Sequence, residues 1–318
     1  MRKSRLALSL VAAAAVALSL MNASWIASRP TGPLTLVAHR GVAQPLDLAA
    51  AGGCSARHMR VSDHRMIENT LFSMQRAVAL GAGGLALDVR TSADGRAMIF
   101  RDADLGCRTD GAGRVADRPL AYLRRLDVGY GYTADDGRTF PLRGRGFAGM
   151  PTAEEVLHAF PTQILLFTLA EPRDADALIA AYRNAGFPVA ANHGFAGPPA
   201  ALARLRQLTR EGWLLDAQAS ETCLAGYRAW GWLGRVPETC RGTTVLVPRR
   251  GEWTLWGWPY RFLARMAGAG ARLLIAGDSA DGTLVGLDRV EQLGEVPHDY
   301  RGLLLIEDMY GVGRALER

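Results

Sequence analysis

Short apolar runs alternate with amphipathic stretches along the chain after Pro33. The apolar runs predict strands at 34–38, 84–89, 96–100, 164–169, 188–192, 213–217, 243–247, 272–277 and 302–307. Between most of them, apolar residues recur every three or four positions, which predicts helices at 70–80, 152–160, 174–184, 199–210, 219–230 and 260–267. This alternation is typical of an α/β protein with a parallel sheet. Eight or nine units favour a (β/α)8 barrel over an open doubly wound sheet.

The first thirty residues have a different pattern. Lys3 and Arg5 precede an apolar run from Leu6 to Met21, which Arg29 and Pro30 end. This pattern is typical of an export segment, either a cleaved signal peptide or a signal anchor. We favour the anchor, with the rest of the chain on the extracytoplasmic or periplasmic side; cleavage would make the protein secreted. We therefore divide the chain into an export segment at 1–30 and one barrel domain at 31–318.

Composition and charge narrow the class of protein. The 318 residues are 49% hydrophobic, which is enough for a well-packed core. The net charge of +6 is spread along the chain without a block of like charges, so we expect no nucleic-acid partner. An anionic substrate or membrane surface remains compatible with this charge.

Four cysteines fit an oxidising compartment, and none forms a C-x-x-C pair. We expect disulfides between Cys54 and Cys107 and between Cys223 and Cys240, because the barrel brings each pair of segments together. Four free buried thiols are the alternative. The first disulfide would fix the long irregular segment 42–67 over the carboxyl-terminal mouth of the barrel, where barrel enzymes place their sites.

Polar motifs follow the first strands. The first strand ends in His39, Arg40 and Gly41, and ENT follows at 68–70. LALDVRTSADG occupies 85–95, and IFRDADLGCRTDGAG occupies 99–113. A histidine beside an arginine at a strand end suits a phosphate, since histidine exchanges protons near neutral pH and arginine offers a planar fork to oxygens.

The order and spacing of these motifs resemble the glycerophosphodiester phosphodiesterase family, whose fold is a TIM barrel of the PLC-like phosphodiesterase type. The resemblance also covers 126–146, 150–161 and 286–308, and we interpret the chain as an exported, membrane-anchored branch. It implies a phosphoric diester hydrolase of lipid metabolism. Such an enzyme uses two histidines and a divalent cation, Ca²⁺ or Mg²⁺, to release glycerol 3-phosphate from a glycerophosphodiester.

Position by position, the resemblance makes His39 the first catalytic histidine and Arg40 the phosphate-contacting arginine. Glu68, Asn69 and Asp102 match substrate-binding positions. Asp88 matches one metal ligand.

Four positions depart from the family pattern. Ala86 and Thr168 stand where metal-binding glutamates are expected, and Arg101 stands where the second histidine is expected; Ala170 replaces a lysine. A hard cation needs about six oxygen ligands. A guanidinium cannot act as a general acid near neutral pH. Metal binding and hydrolysis are therefore doubtful.

Two interpretations of Arg101 remain open. It could join Arg40 and Arg108 in gripping a phosphate without a metal, since the changes at 86 and 168 remove negative charge. Alternatively, it could reach solvent or pair with Asp102. The partner would be a glycerophosphodiester or phospholipid head group, and the membrane would be contacted through the N-terminal helix.

Function therefore stays open between a weakened hydrolase and a catalytically inactive protein that binds phosphate or anionic lipid, or that has a structural role in the envelope.

Other residues carry weaker signals. His58 and His64 lie in the segment over the mouth and could supply a proton, although loop histidines are more often solvated. His158, His193 and His298 have no motif around them. We expect the aromatic residues at 253–262 to pack between barrel and helix, with a membrane-interface role as the alternative.

Overall fold

Eight parallel strands form the centre of the molecule in a computed structural model, which describes residues 2–47, 53–247, 249, 251–277 and 284–316. The strands are β1 Leu34–His39, β2 Gly84–Thr91, β3 Ala97–Ile99, β4 Ile164–Thr168, β5 Gly194–Ala196, β6 Trp213–Leu215, β7 Thr244–Val247, β8 Arg272–Ile275 and β9 Gly302–Ile306. Their order is β6-β5-β4-β2-β1-β9-β8-β7, with β3 antiparallel to β2. Because β6 and β7 also lie side by side, the sheet nearly closes, which confirms the (β/α)8 barrel.

Helices surround the barrel. They are α1 Arg2–Met21, α2 Leu71–Ala79, α3 Leu120–Leu123, α4 Ala153–Ala159, α5 Pro172–Ala185, α6 Pro199–Leu208, α7 Ala217–Trp230, α8 Tyr260–Gly268 and α9 Arg314–Leu316. Local sequence explains their starts: the side chains of Thr70 and Thr152 accept hydrogen bonds from the main chain of α2 and α4. The helices predicted at 70–80, 152–160 and 219–230 match the observed ones to within two residues.

Two predicted strands need correction. The run at 96–100 forms β3, a hairpin partner of β2 outside the barrel. The run at 188–192 is not a strand, and its place in the barrel is taken by β5. Gly194 explains the shift, because a Cβ atom there would lie 2.3 Å from the Trp213 ring. Only glycine allows β5 to approach β6 so closely.

Apolar side chains fill the barrel interior. They are Val37, Ala86, Leu166, Ala196, Trp213, Leu215, Leu274, Ala276, Leu303 and Leu305. A larger buried cluster packs between the barrel and its helices. The interior is therefore a packed core, and polar chemistry is confined to the ends of the strands.

Strand register places the predicted site residues next to one another. His39 on β1 lies opposite Ala86 on β2, and Asp88 on β2 lies opposite Thr168 on β4. His39 and Thr168 are the last residues of β1 and β4, and Asp88 is the last residue of β2 that pairs with β4. Motifs that are spread from residue 39 to residue 168 thus meet at one mouth of the barrel.

The segment over the mouth has its own small core, which includes Ala56, Met59, Phe100, Leu105 and Tyr132. The disulfides join Cys54 to Cys107 and Cys223 to Cys240, which confirms both pairs. Residues 48–52 of the predicted mouth segment lie outside the described residues.

The carboxyl end of α1 is attached to the barrel. Arg265 donates hydrogen bonds to the main-chain oxygen of Met21, at 3.0 Å, and to the side chain of Asn22, at 3.0 Å. No helix in the described part of the chain has both the length and the apolar character that crossing a bilayer requires. The export segment and the domain boundary at residue 30 stay predictions.

We expect removal of the two disulfides to destabilise the fold unequally. Cys54–Cys107 closes 53 residues and Cys223–Cys240 closes 17. Loop-closure entropy then gives about 4 kcal/mol for the first and about 3 kcal/mol for the second. Urea unfolding of the Cys54→Ser/Cys107→Ser and Cys223→Ser/Cys240→Ser variants measures both losses. A larger loss for the second pair would contradict this ranking.

Candidate functional site

His39 and Glu307 form a pair at the mouth. The Nδ1 atom of His39 lies 2.6 Å from Oε2 of Glu307, the residue that follows β9. Glu307 also accepts a hydrogen bond from the main-chain nitrogen of Gly286, at 3.0 Å. With Nδ1 bonded to a carboxylate, Nε2 is the ring nitrogen left to exchange a proton.

Arg40 connects the carboxylates of three elements. Its Nε donates to Asp88, at 2.7 Å. Its Nη1 donates to Glu307, at 3.2 Å, and to Glu68, at 3.4 Å. Asn69 adds a hydrogen bond to the same oxygen of Asp88, at 3.0 Å. One guanidinium thus holds the ends of β1, β2 and β9 and the start of α2 together.

This network controls the ionisation of its carboxyl groups. Burial alone would raise the pKa of Glu307, but His39 and then Arg40 outweigh it and lower the pKa to about 2. Burial would likewise raise the pKa of Asp88, yet Arg40 and His39 hold it well below its usual range. The same carboxylates, with burial opposing them, raise the pKa of Arg40. The arginine and carboxylates are therefore charged across the physiological range.

Backbone strain is concentrated at the same place. Arg40 has φ of 62° and Asn69 has φ of 58°, and the main-chain nitrogen of Asn69 donates to the oxygen of Arg40, at 2.9 Å. Such non-glycine conformations cost about 1–3 kcal/mol each. Gly41 follows at φ of 79°, where a Cβ atom would lie 2.6 Å from Oγ of Ser73. The HRG and ENT motifs thus have strained main chains that are hydrogen-bonded to each other.

A second network lies behind the first. The fully buried Arg108 is 2.8 Å from Glu68 and 2.9 Å from Asp102, and it donates to the Tyr132 hydroxyl, at 2.8 Å. Tyr132 donates in turn to Glu68, at 3.0 Å. Burial would raise the pKa of Glu68, but Arg108 and then Arg40 lower it. Glu68 therefore joins the two networks.

Arg101 lies at the edge of both networks. It donates to the Ser55 hydroxyl, at 3.0 Å, and its Nε is 3.8 Å from Asp102. Burial and then the positive charge of Arg40 lower the pKa of Arg101. The guanidinium of Arg101 thus donates to a neutral hydroxyl, and the carboxylate of Asp102 is farther away.

A cavity of about 630 Å³ opens beside these residues. Its polar wall consists of His39, Arg40, Asp88, Arg90, Arg101, Asp102, Asp104 and Thr168. Its apolar wall includes Leu169, Ala196, Pro198, Leu215, Leu246 and Leu284. The cavity can therefore accept a molecule with one charged and one uncharged part.

The structure separates the predicted site residues into two groups. His39, Arg40, Asp88, Arg101 and Asp102 line the cavity. Glu68 and Asn69 are buried behind the wall and contact Arg40 or Asp88. Their roles in binding or catalysis stay predictions.

Sequence reasoning missed Glu307, Tyr132 and Ser55 as members of the site. One feature of the sequence could have identified Glu307 as a site residue: it ends an apolar strand run, as other mouth residues do.

The charge balance also differs from the prediction. Four carboxylates, those of Glu68, Asp88, Asp102 and Glu307, surround Arg40, Arg101 and Arg108, so the mouth as a whole has no large positive excess. Arg101, whose Nε is 3.8 Å from Asp102, is paired less closely than Arg40 and Arg108.

The donor set at the mouth does not fit a divalent cation. Ala86 packs in the apolar barrel interior, and one oxygen of Asp88 already accepts from both Arg40 and Asn69. Thr168 contributes a hydroxyl in place of a carboxylate. Within the described ranges, no group of three or more histidine, cysteine, aspartate or glutamate side chains is arranged to hold a metal ion. These residues offer too few free oxygens for Ca²⁺ or Mg²⁺.

The other histidines lie outside the cavity wall. The His64 ring packs at a tilt against Tyr310 and accepts a hydrogen bond from the main-chain nitrogen of Met66. His193 is hydrogen-bonded to the Tyr182 hydroxyl. His58 is half-buried, and His298 is exposed. Among the described residues, no contact places His58 or His64 beside the cavity, and their proton-donor role stays a prediction.

The fold is a (β/α)8 barrel whose polar residues lie at one mouth, on β1, β2 and β4 and directly after β9. Residues 53–193 match the model of the glycerophosphoryl diester phosphodiesterase family. His39, Arg40 and Glu307 lie outside the matched range.

Two relatives match part of the chain. An uncharacterized protein of Mycobacterium tuberculosis is 33% identical over 40% of this chain and 42% of its own length. A glycerophosphodiester phosphodiesterase of Caldanaerobacter subterraneus is 35% identical over 28% of this chain and 33% of its own. The chain thus matches about two fifths or less of the length of these two relatives.

The crystal structure of the glycerophosphoryl diester phosphodiesterase domain of the mycobacterial protein superposes with a TM-score of 0.64, at 18% identity. The match covers 90% of this chain and 100% of that domain. A phosphodiesterase of Oleispira antarctica, in complex with the product sn-glycerol-3-phosphate, has a TM-score of 0.58 at 18% identity, over 91% of this chain and 98% of its own. These similarities support the fold.

We expect acid to destabilise the protein through Glu307. A carboxyl group whose pKa is lowered by folding stabilises the fold above its unfolded value, near 4.5, and this contribution is lost as pH falls towards 2. The contribution is on the order of 3 kcal/mol. Glu307→Gln should therefore flatten the loss of unfolding free energy between pH 4.5 and 2, measured by urea unfolding. Glu238→Gln, at an exposed carboxylate, is the control, and equal slopes in both variants would refute this.

We expect Arg108 and Glu68 to depend on each other. Arg108→Met leaves Glu68 buried beside Tyr132 and should cost about 3–5 kcal/mol of unfolding free energy. The double variant Arg108→Met/Glu68→Gln should lose less than the sum of the single variants, because it removes the unpaired charge. Arg173→Met breaks an exposed pair with Glu171 and should cost less than about 1 kcal/mol. Additive losses would exclude the coupling.

Proposed function

We propose that the chain binds the phosphate of a glycerophosphodiester or phospholipid head group at the barrel mouth without a divalent cation, and that hydrolysis is weak or lost. The match of residues 53–193 to the family model suggests the substrate class. The family's second histidine and two of its carboxylates are replaced in this chain, and this is why we propose that the cation is not needed and that hydrolysis is weak or lost.

The observation that carries the proposal is the environment of Arg101. Its guanidinium lines the cavity, donates to a neutral hydroxyl and is repelled by Arg40. An anion bound there would relieve this repulsion and add charge-assisted hydrogen bonds.

Two further polar atoms of the polar wall support an oxygen-rich ligand. The Nε atom of Arg90 and the hydroxyl of Thr168 are buried and have no hydrogen-bond partner among the described residues. A buried donor without a partner costs about 1–3 kcal/mol. A phosphate, with several acceptor oxygens, can satisfy such donors as well as Arg101.

The apolar wall suits the rest of the ligand. Leu215, Leu246 and Leu284 offer contact to an uncharged alcohol part, while the arginines take the phosphate. The Oleispira antarctica structure holds sn-glycerol-3-phosphate, and this makes the same compound the first ligand to test.

Weak hydrolysis follows from the proton-transfer groups. Cleavage of a diester requires one group to accept a proton and one to return a proton to the leaving alcohol, and such help is typically worth about 100- to 10,000-fold in rate each. Arg101 cannot return a proton near neutral pH. The His39–Glu307 pair supplies one exchangeable group.

The same pair favours slow metal-independent hydrolysis as a second candidate. His39 keeps a carboxylate partner at 2.6 Å, the arrangement that orients a histidine for proton transfer.

We expect inorganic phosphate and glycerol 3-phosphate to raise the melting temperature of the protein equally in EDTA and in Ca²⁺ or Mg²⁺. Arg101→Gln should weaken the apparent affinity about tenfold or more, since it removes a charge-assisted contact. Arg204→Gln is the matched control, because Arg204 pairs with Asp176 outside the mouth. Differential scanning fluorimetry over a ligand series measures the effect. Stabilisation that needs the cation, or that survives Arg101→Gln, would refute the proposal.

Turnover is measured by incubating the protein with glycerophosphoethanolamine and detecting glycerol 3-phosphate. We expect a rate close to that without protein, and any residual rate should be unaffected by EDTA and lost in His39→Ala. Rapid, cation-dependent release would mean that the chain is an ordinary hydrolase of its family.

A further inference from the structure

Five of the seven tryptophans of the chain lie on one outer surface, which we call the tryptophan face: Trp25, Trp230, Trp232, Trp253 and Trp256. Their exposed fractions range from 36% to 81%, and Trp253 and Trp25 are the most exposed. Only part of the aromatic segment 253–262 packs inside as expected, since Phe262 is buried against Trp258.

Main-chain and side-chain contacts join three segments into this face. The Trp256 indole donates to the main-chain oxygen of Arg228, at 2.8 Å. Asn22 donates to the oxygen of Trp232, at 2.8 Å, and the main-chain nitrogen of Tyr260 donates to the Ser24 hydroxyl, at 2.9 Å. The rings are thus held in place by the fold.

The face is continuous with α1, which ends at Met21. Its exposed apolar residues are Leu8, Leu10, Val11, Val16 and Leu20. At 100° per residue these five positions are distributed around the whole helix, not along one stripe. An apolar stripe would fit a protein groove, whereas apolar residues on every side are typical of contact with lipid.

The charge of the face favours an anionic surface. Segments 22–30, 227–235 and 251–266 contain five arginines and one glutamate. Two of these arginines, Arg29 and Arg228, pair with Asp299 and Glu221, so the face keeps a small positive excess. Tryptophan together with arginine is the composition of the membrane–water interface, where the amphipathic indole lies at the level of the head groups.

We propose that the tryptophan face docks on the head-group region of a bilayer that contains anionic lipid. The contact uses exposed rings on the barrel together with α1, and it does not require a helix that crosses the bilayer.

Docking through this face sets the direction of the mouth. Ala217, the first residue of α7, lines the mouth cavity, and Trp230 is the last residue of α7. A helix of 14 residues is about 20 Å long. The tryptophan face therefore lies at the opposite end of α7 from the cavity. The mouth then opens towards water, and, if the proposed function holds, its ligand is a water-soluble phosphodiester rather than a lipid of the same bilayer.

The first test uses the full chain with vesicles of phosphatidylcholine containing phosphatidylglycerol. Trp230→Ser/Trp253→Ser should weaken vesicle binding about tenfold or more, because it removes two exposed rings that would be buried in lipid. Phe72→Ser/Phe147→Ser, which changes two rings of similar exposure elsewhere, should bind as the unmodified chain does. Equal binding of all three proteins would overturn the proposal. A tryptophan variant that instead abolishes self-association in solution would assign the face to a second copy of the chain.

The second test needs no substitution. Amide hydrogen exchange of the unmodified chain on vesicles should show protection at 22–26, 228–232 and 252–256 and none at 101–107 beside the mouth. Protection at 101–107 would overturn the orientation. Both readouts are independent of phosphate binding, so failure of docking and failure of the proposed function are distinguishable.

Discussion

The guanidinium of Arg40 is the interaction on which the mouth of this barrel depends. It is buried, its own backbone is strained, and it contacts the carboxylates of Asp88, Glu307 and Glu68. Removing a single partner from such a network leaves an unpaired buried charge, which costs more than the intact pairs contribute. The conformations of HRG, ENT and Asp88 in this chain therefore depend on one another.

The same network leaves few oxygen atoms at the mouth free to bind a cation. In a metal site, Asp88 would direct its oxygens at the cation, but here Arg40 and Asn69 occupy one of them. Ala86 belongs to the apolar interior, and the charge at Arg101 is met by Ser55 and, at 3.8 Å, by Asp102. Cationic side chains thus occupy positions from which an anionic ligand can be held directly.

The sequence predicted the barrel well because alternating apolar periodicity depends on local spacing, and it predicted both disulfides. It misplaced the strand at 188–192, since the close approach of Gly194 to Trp213 is a tertiary constraint. It overestimated the positive charge of the mouth for a similar reason. Glu307 lies 268 positions from His39, and only closure of the barrel brings the two together. Likewise, the tryptophan face combines three segments that are distant along the chain.

Calorimetric titration of Ca²⁺ into the EDTA-treated, dialysed protein tests the central claim most directly, that the mouth is an arginine–carboxylate network and not a metal site. The account predicts no saturable binding to the unmodified chain and a new site in the variant Ala86→Glu/Arg101→His/Thr168→Glu, which restores the family's residues. Saturable binding to the unmodified chain that Asp88→Asn abolishes would contradict it.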